Sequence, residues 1–191
     1  MVECGVGGLA SPGGVRATGW RGLLTPDATC THATAISPQG LRRRGIRALL
    51  VDLDNTLSPW NQPGCDPQVA AWLRALRVAG IAVCIVSNNG PERVRAFLRG
   101  CDADLPWIAR AGKPRRGVYQ RALRMLSAEP AHTAAVGDQV FTDVLGGKRA
   151  GLVAILVTPL AEREFPATRV VRLVEGWWLR RLRAEGALRA L

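Results

Sequence analysis

The sequence predicts an α/β protein of three layers, in which a parallel sheet is covered by helices on both faces. Three observations lead there. Apolar runs of strand length recur from Ile46 onward, amphipathic stretches of helical period separate them, and the two kinds alternate as far as Val157. A strand wetted on one face alternates apolar and polar residues, whereas a strand covered on both faces is apolar nearly throughout, as these are.

The elements follow in order. Ile46–Leu53 is apolar except for Arg47 and Asp52 and reads as the first buried strand. Pro67–Ala79 sets Val69, Trp72, Leu73 and Leu76 at three- and four-residue spacing, with Pro67 in the first turn, where a missing N–H does no harm. Ile81–Val86 is a second buried strand and Pro91–Arg99 a second helix. A short extended piece near Leu105–Ala109 precedes a helix over Gly117–Leu126. Thr133–Val136 is a strand, Phe141–Ala150 a helix and Leu152–Val157 the last strand. Thr158–Thr168, with two prolines and charged residues, reads as a surface loop, and a basic helix from about Val170 to Ala190 closes the chain. Leu23–Gly40 carries no decisive pattern. Residues 1–22 are expected as a flexible glycine-rich tail, 23–168 as one domain, and 169–191 as a helix that packs on that domain or extends it.

Composition narrows the function classes. The 191 residues are 48% hydrophobic, enough for a sizeable core and too many for a disordered chain. No apolar run reaches the roughly 18 residues of a membrane-spanning helix, so the chain is expected to be soluble or to lie on a membrane surface. The net charge of +11 favours an anionic partner: nucleic acid, acidic lipid or a phosphorylated substrate. GC-rich coding would enrich arginine just as well, so charge alone does not choose. The five cysteines (Cys4, Cys30, Cys65, Cys84 and Cys101) are scattered and show no CxxC spacing. That argues against a disulfide framework or a zinc site and for a reducing, cytoplasmic setting. Cys84, inside an apolar run, reads as a small buried hydrophobe.

Reactive residue types gather at the predicted strand ends, where doubly wound sheets bind ligands. The first strand ends in Asp52-Leu53-Asp54-Asn55-Thr56. Side chains alternate along a strand, so Asp52 and Asp54 point the same way, and two carboxylates there need a cation or a shared proton to relieve their repulsion. The second strand ends in Ser87-Asn88-Asn89-Gly90 before a helix. A hydroxyl and backbone N–H groups there can cradle a phosphate, although ordinary helix capping uses the same residues. Lys113 follows the third extended piece, in Ala111-Gly112-Lys113-Pro114, in a chain that otherwise prefers arginine. A compact ammonium suits a phosphoryl oxygen as a point charge. The fourth element ends in Gly137-Asp138-Gln139-Val140-Phe141-Thr142-Asp143. With Asp52, Asp138 would offer hard oxygen ligands to Mg²⁺.

The series DLDNT, SNN, Lys113 and GDxxxxD resembles the four motifs of the haloacid dehalogenase (HAD) superfamily. LLVDLDNTLSPW, AGKP and VGDQVFTDVLGGKRAG resemble, more narrowly, its YqeG-type, subclass IIIA phosphatases, over about residues 40–160. The motif residues show no departure. The resemblance implies a Rossmann-like, HAD-type fold and a Mg²⁺-dependent phosphatase in which Asp52 attacks phosphorus and becomes an aspartyl-phosphate. It implies that Asp54 protonates the leaving alkoxide and then deprotonates water. It places the metal on Asp52, the Asp54 backbone carbonyl and Asp138. Asp143 would orient metal-bound water or Lys113, and Thr56, Ser87, Asn88 and Lys113 would stabilise the phosphoryl oxygens.

Relatives of this kind dephosphorylate phosphatidylglycerophosphate, so the resemblance implies that substrate. A soluble phosphometabolite or phosphoprotein is the alternative, and a non-catalytic RNA- or ribosome-associated module is a third reading. The intervals Thr56–Ser87 and Ser87–Lys113 are each consumed by one helix and one strand, so no inserted cap domain fits, and an open site admits bulky substrates. In the last helix Val170, Val174, Trp177, Trp178 and Leu182 can share an apolar side beside Arg172, Arg180, Arg181 and Arg183. Such a helix either settles peripherally among anionic headgroups at the inner face of a membrane or packs Trp177 and Leu173 onto the sheet. Nucleic acid is the less expected partner: no aromatic RNA platform or zinc knuckle is visible, and a mere binder has no need of Asp52 and Asp54. Oligomeric state is left open.

Overall fold

Six parallel strands order the protein: β1 (Ala28–Cys30), β2 (Ala48–Val51), β3 (Ala82–Val86), β4 (Trp107–Ile108), β5 (Thr133–Gly137) and β6 (Val153–Val157), arranged β1-β6-β5-β2-β3-β4. The computed structural model describes residues 19–60, 62, 64–161 and 166–188, the last stretch with side chains from 173 onward. β2 lies between β3 and β5, with Leu50 opposite Cys84 on one side and Ala135 on the other. Winding proceeds one way from β2 to β3 and β4, then returns across β2 to β5 and β6. The switch point therefore lies between β2 and β5, where such sheets open a crevice.

Period-two alternation distributes the strand residues between two covering layers. Leu49, Val51, Ile85, Val136 and Ile155 pack with Val69, Trp72, Leu76 and Phe97 of α3 (Pro67–Val78) and α4 (Pro91–Gly100). Leu50, Cys84, Val86 and Ala135 face Tyr119, Ala122 and Leu123 of α5 (Arg116–Met125). Further along that face Ala154 and Leu156 meet Trp178 and Leu182 of α7 (Pro166–Ala184). Each leucine, isoleucine, valine or phenylalanine buried this way stabilises the fold by about 1.5–3 kcal/mol relative to exposure. Trp72 also satisfies its indole N–H, on the Ile36 carbonyl at 2.9 Å.

The unpatterned segment has structure of its own. Ala28–Cys30 is the edge strand and Pro38–Arg43 forms α2, capped by the Ser37 hydroxyl on the Gly40 N–H, while Trp20–Leu23, three of its four residues in the stretch expected as a flexible tail, forms α1. Asp27 docks the segment by accepting the Ala154 N–H at 2.8 Å and the Lys148 ammonium at 2.6 Å. Of the expected tail, residues 1–18 lie outside the described residues, as do residues 162–165 of the expected surface loop.

Three expectations are corrected. The single helix expected over Phe141–Ala150 is a π-helical turn, Val140–Val144, followed by α6 (Leu145–Ala150). The cysteine pattern argued against disulfides, yet Cys65 and Cys101 are bonded, with Cα atoms 5.1 Å apart. The start of α3 and the end of α4 bring them together: a Cβ on Gly100 would come within 2.9 Å of the Cys65 nitrogen. In α7 it is Trp178 and Leu182 that pack inward, while Trp177 and Leu173 are exposed, because neighbouring helical positions point about 100° apart. Cys84 is buried as expected, and burial pushes its thiol up to about 12, so it is inert at neutral pH.

Candidate active site

Asp52 follows β2 directly, and its backbone N–H still bonds to Val136 of β5, which fixes it at the switch point. Asp138 follows β5 on the neighbouring strand. The π turn then returns Asp143 to the same place, through its N–H on the Gln139 carbonyl and its carboxylate accepting the Gln139 N–H at 3.2 Å. A π turn widens the helix by one residue per turn and often marks a functional site. Gly137 is obligatory here, since a Cβ would collide with the Asp143 carboxyl group. Tyr119 holds the turn from below, its hydroxyl donating to the Thr142 carbonyl at 3.0 Å. From α7, the buried Glu175 accepts the Phe141 N–H at 2.9 Å.

Carboxylate oxygens of Asp52, Asp138 and Asp143 lie within 4.8 Å of one another, all three residues buried. Lys113 enters from the loop before α5, where the Asn88 side-chain carbonyl accepts its backbone N–H at 2.8 Å. Its ammonium sits 2.5 Å from Asp52 and 2.7 Å from Asp143. The Thr56 hydroxyl lies 3.2 Å from Asp52 and 3.3 Å from Asp138, within donating distance of either. Ser87 is buried, its hydroxyl accepting the Asn89 N–H at 3.0 Å, a local turn at the mouth of α4.

Electrostatics follow from burial. Desolvation pushes Asp52 up to about 6, against the pull of Lys113 and with Asp143 and Asp54 adding repulsion. Burial opposes the Lys113 charge, but Asp143 and Asp52 outweigh it and hold the ammonium above its ordinary range. Three buried acids thus lie together with a single ammonium, which touches two of them, Asp52 and Asp143. A hard divalent cation complements this oxygen set in charge and ligand type, so the residues fit the metal that such sites use.

Asp54 takes a separate position. Its carboxylate accepts the Arg93 Nε–H at 3.0 Å and the Asn89 amide at 3.2 Å, rather than joining the other three acids. Sequence reasoning passed over Arg93, Tyr119 and Glu175, and gave Asn89 no role beyond its place in the Ser87-Asn88-Asn89 turn. A signal existed for two of them. Arg93 is a cation in the first turn of a helix, against the dipole. Glu175 is the lone acid among the apolar residues and arginines of Val170–Leu182.

Fold and site together have the makings of an α/β phosphoryl-transfer enzyme built on carboxylates. Comparison with known proteins gives the family. A family model described as HAD-hydrolase-like matches residues 110–163, which contain Lys113, Asp138 and Asp143. The chain is 36% identical over 164 residues to the probable phosphatase YqeG of Bacillus subtilis, spanning 86% of this chain and 94% of that protein. It is 29% identical over 174 residues to phosphatidylglycerophosphate phosphatase 1, chloroplastic/mitochondrial, of Arabidopsis thaliana, spanning 87% of this chain and 50% of that one. Among solved structures, an uncharacterized protein from Listeria monocytogenes serotype 4b aligns with a TM-score of 0.51 at 20% identity, over 63% of this chain and 85% of that chain, a likeness of fold alone. The chain belongs to the HAD superfamily, in its YqeG-type phosphatase family, and is a phosphoric monoester hydrolase.

Proposed function

We propose that the protein is a Mg²⁺-dependent phosphatase that works through an aspartyl-phosphate on Asp52 and acts on phosphatidylglycerophosphate. The chemistry rests on one observation, the buried cluster of Asp52, Asp138 and Asp143 around Lys113. Asp52 attacks phosphorus in line, and the ester P–O bond breaks as Asp54 gives its proton to the departing alkoxide. Asp54 then takes a proton from water, which attacks the phosphorus of the aspartyl-phosphate and restores the Asp52 carboxylate. Asp52, Asp138 and the Asp54 backbone carbonyl would hold the metal, which when bound supplies positive charge to the phosphoryl oxygens. Thr56, Ser87, Asn88 and Lys113 hold those oxygens, and Asp143 keeps the Lys113 ammonium in place.

The lipid substrate is supported by the surroundings of the crevice. No cap is inserted between the motifs, and Trp60 and Leu160, in the loops that follow β2 and β6, are both partly exposed. Beside the π turn, Trp20, Leu24, Val174, Trp177 and Phe141 line an apolar groove, and Trp20 and Trp177 are 64% and 53% exposed. The Arg21 and Arg181 guanidinium groups lie 5.7 and 5.9 Å from the Trp178 and Trp177 ring centres. Tryptophan beside arginine suits the headgroup level of an anionic bilayer, which would bring the crevice to a lipid phosphate. Among the described residues no helix is long and apolar enough to cross a membrane.

Two measurements test this reading. Phosphate release from phosphatidylglycerophosphate, nucleotides, sugar phosphates and a phosphopeptide is expected to be fastest with the lipid, and lost in EDTA. A faster soluble substrate would replace the lipid assignment. In flotation with phosphatidylglycerol vesicles the protein is expected to rise with the lipid, and Trp20→Ser with Trp177→Ser to remain behind. Equal recovery of both proteins would remove the membrane contact.

A further inference from the structure

We infer that Arg93 is a positioning residue for Asp54, locking the acid–base carboxyl group to the loop that follows the nucleophile. The inference rests on the reading of Asp54 as acid and base given above. The Arg93 side chain is only 10% exposed, and its guanidinium makes two joined contacts: Nε–H donates to Asp54 at 3.0 Å and Nη2–H to the Pro59 carbonyl at 3.3 Å. It thus ties α4, which opens after the Ser87 turn, to both ends of the segment Asp54–Pro59. The other Asp54 oxygen is taken by Asn89 at 3.2 Å, so both oxygens, and with them the carboxyl plane, are fixed by donors from one short stretch. A group that must pass a proton to the leaving oxygen, and then take one from water, needs that constraint, because small misplacements cost rate steeply.

A purely structural ion pair explains Arg93 less well. A cation in the first turn of a helix opposes the dipole. Its Nη1 is buried with no hydrogen-bond partner among the described residues, which costs folding free energy. Well-packed apolar side chains commonly replace buried ion pairs without loss of stability. Lysine could match the charge, but only the planar fork of arginine reaches Asp54 and the Pro59 carbonyl together.

The test uses the full chain with Mg²⁺ and 4-nitrophenyl phosphate, whose good leaving group needs little protonation. Formation of the aspartyl-phosphate then needs little from Asp54, whereas its hydrolysis needs Asp54 as base. Arg93→Ala is expected to show a burst of about one nitrophenolate per chain, then a steady rate about 100-fold below wild type, with KM falling alongside it and kcat/KM little changed. Millimolar guanidinium should restore part of that rate. Arg93→Lys should lie between, and it carries the test if thermal melting shows the alanine variant unfolded. Asp54→Asn, run in parallel, separates the two readings. If Asp54→Asn keeps the wild-type rate, the acid–base reading of Asp54 fails, and with it the role given to Arg93. If Asp54→Asn shows the burst while folded Arg93 variants show neither burst nor slowed turnover, the Arg93 inference alone is overturned.

Discussion

Asp52→Asn is expected to lower turnover by about 10⁴-fold or more, while the fold survives and the metal-free protein melts at a higher temperature than wild type. The rate loss follows from removing the nucleophile: an amide cannot form the acyl-phosphate. The stability gain follows from burial, which pushes the Asp52 carboxyl up to about 6 in spite of Lys113. A carboxyl whose folded value lies above its unfolded value holds its proton more tightly in the native state. Stability therefore falls as pH rises from about 4 to about 6, the window between the ordinary value of 3.8 and the shifted one, and stays low above it. Asparagine carries no such charge, so the variant's advantage in EDTA should grow through that window and then level off. Mg²⁺ should reverse the ranking, raising the melting temperature of wild type and moving the variant little. Melting curves at pH 4.5 and 7.5, with EDTA and with Mg²⁺, decide it; a variant less stable than wild type in EDTA at pH 7.5 would refute the electrostatic reading.

Lys113→Met is expected to have the largest effect on folding, a loss of about 3–5 kcal/mol at neutral pH without metal, the usual result of breaking a buried pair. Its ammonium touches both Asp52 and Asp143, with Asp138 in the same cluster, so the substitution leaves three buried acids without it. Protonation of Asp52, whose carboxyl burial already pushes up to about 6, offers a partial escape, so the loss should shrink as pH falls toward 5, and Mg²⁺ should recover part of it. Denaturant unfolding at pH 5 and pH 8 measures this. A loss of the same size at both pH values, unchanged by Mg²⁺, would mean that Lys113 acts through packing rather than charge.

Why some features were legible and others were not has a physical basis. α3 was readable because Val69, Trp72, Leu73 and Leu76 repeat at helical spacing, and β2, β3, β5 and β6 because each is buried on both faces. Strand ends then singled out Asp52, Ser87, Lys113 and Asp138 as a set, although helix capping fits Ser87 and Asp138, and a surface position Lys113, when each is taken alone. Local periodicity says nothing of the three-residue edge strand β1, whose place depends on β6 and on the Asp27–Lys148 pair. It is equally silent on the partner of Asp54, because Arg93 lies far along the chain and meets it only once β2 and α4 are packed. The Cys65–Cys101 bond joins residues 36 apart and depends on the close approach that Gly100 permits. Adjacent tryptophans on one helix, Trp177 and Trp178, are told apart only by what lies beneath: Leu24 offers a carbonyl to Trp178 alone, at 2.9 Å.

Mass spectrometry of the wild-type chain, acid-quenched during steady turnover with Mg²⁺, bears most directly on the chemistry. A phosphoryl group should be found on the peptide that contains Asp52, and it should vanish when the substrate is exhausted. Phosphate lodged on another residue, or turnover with no phosphorylated chain at any quench time, would contradict a covalent role for Asp52.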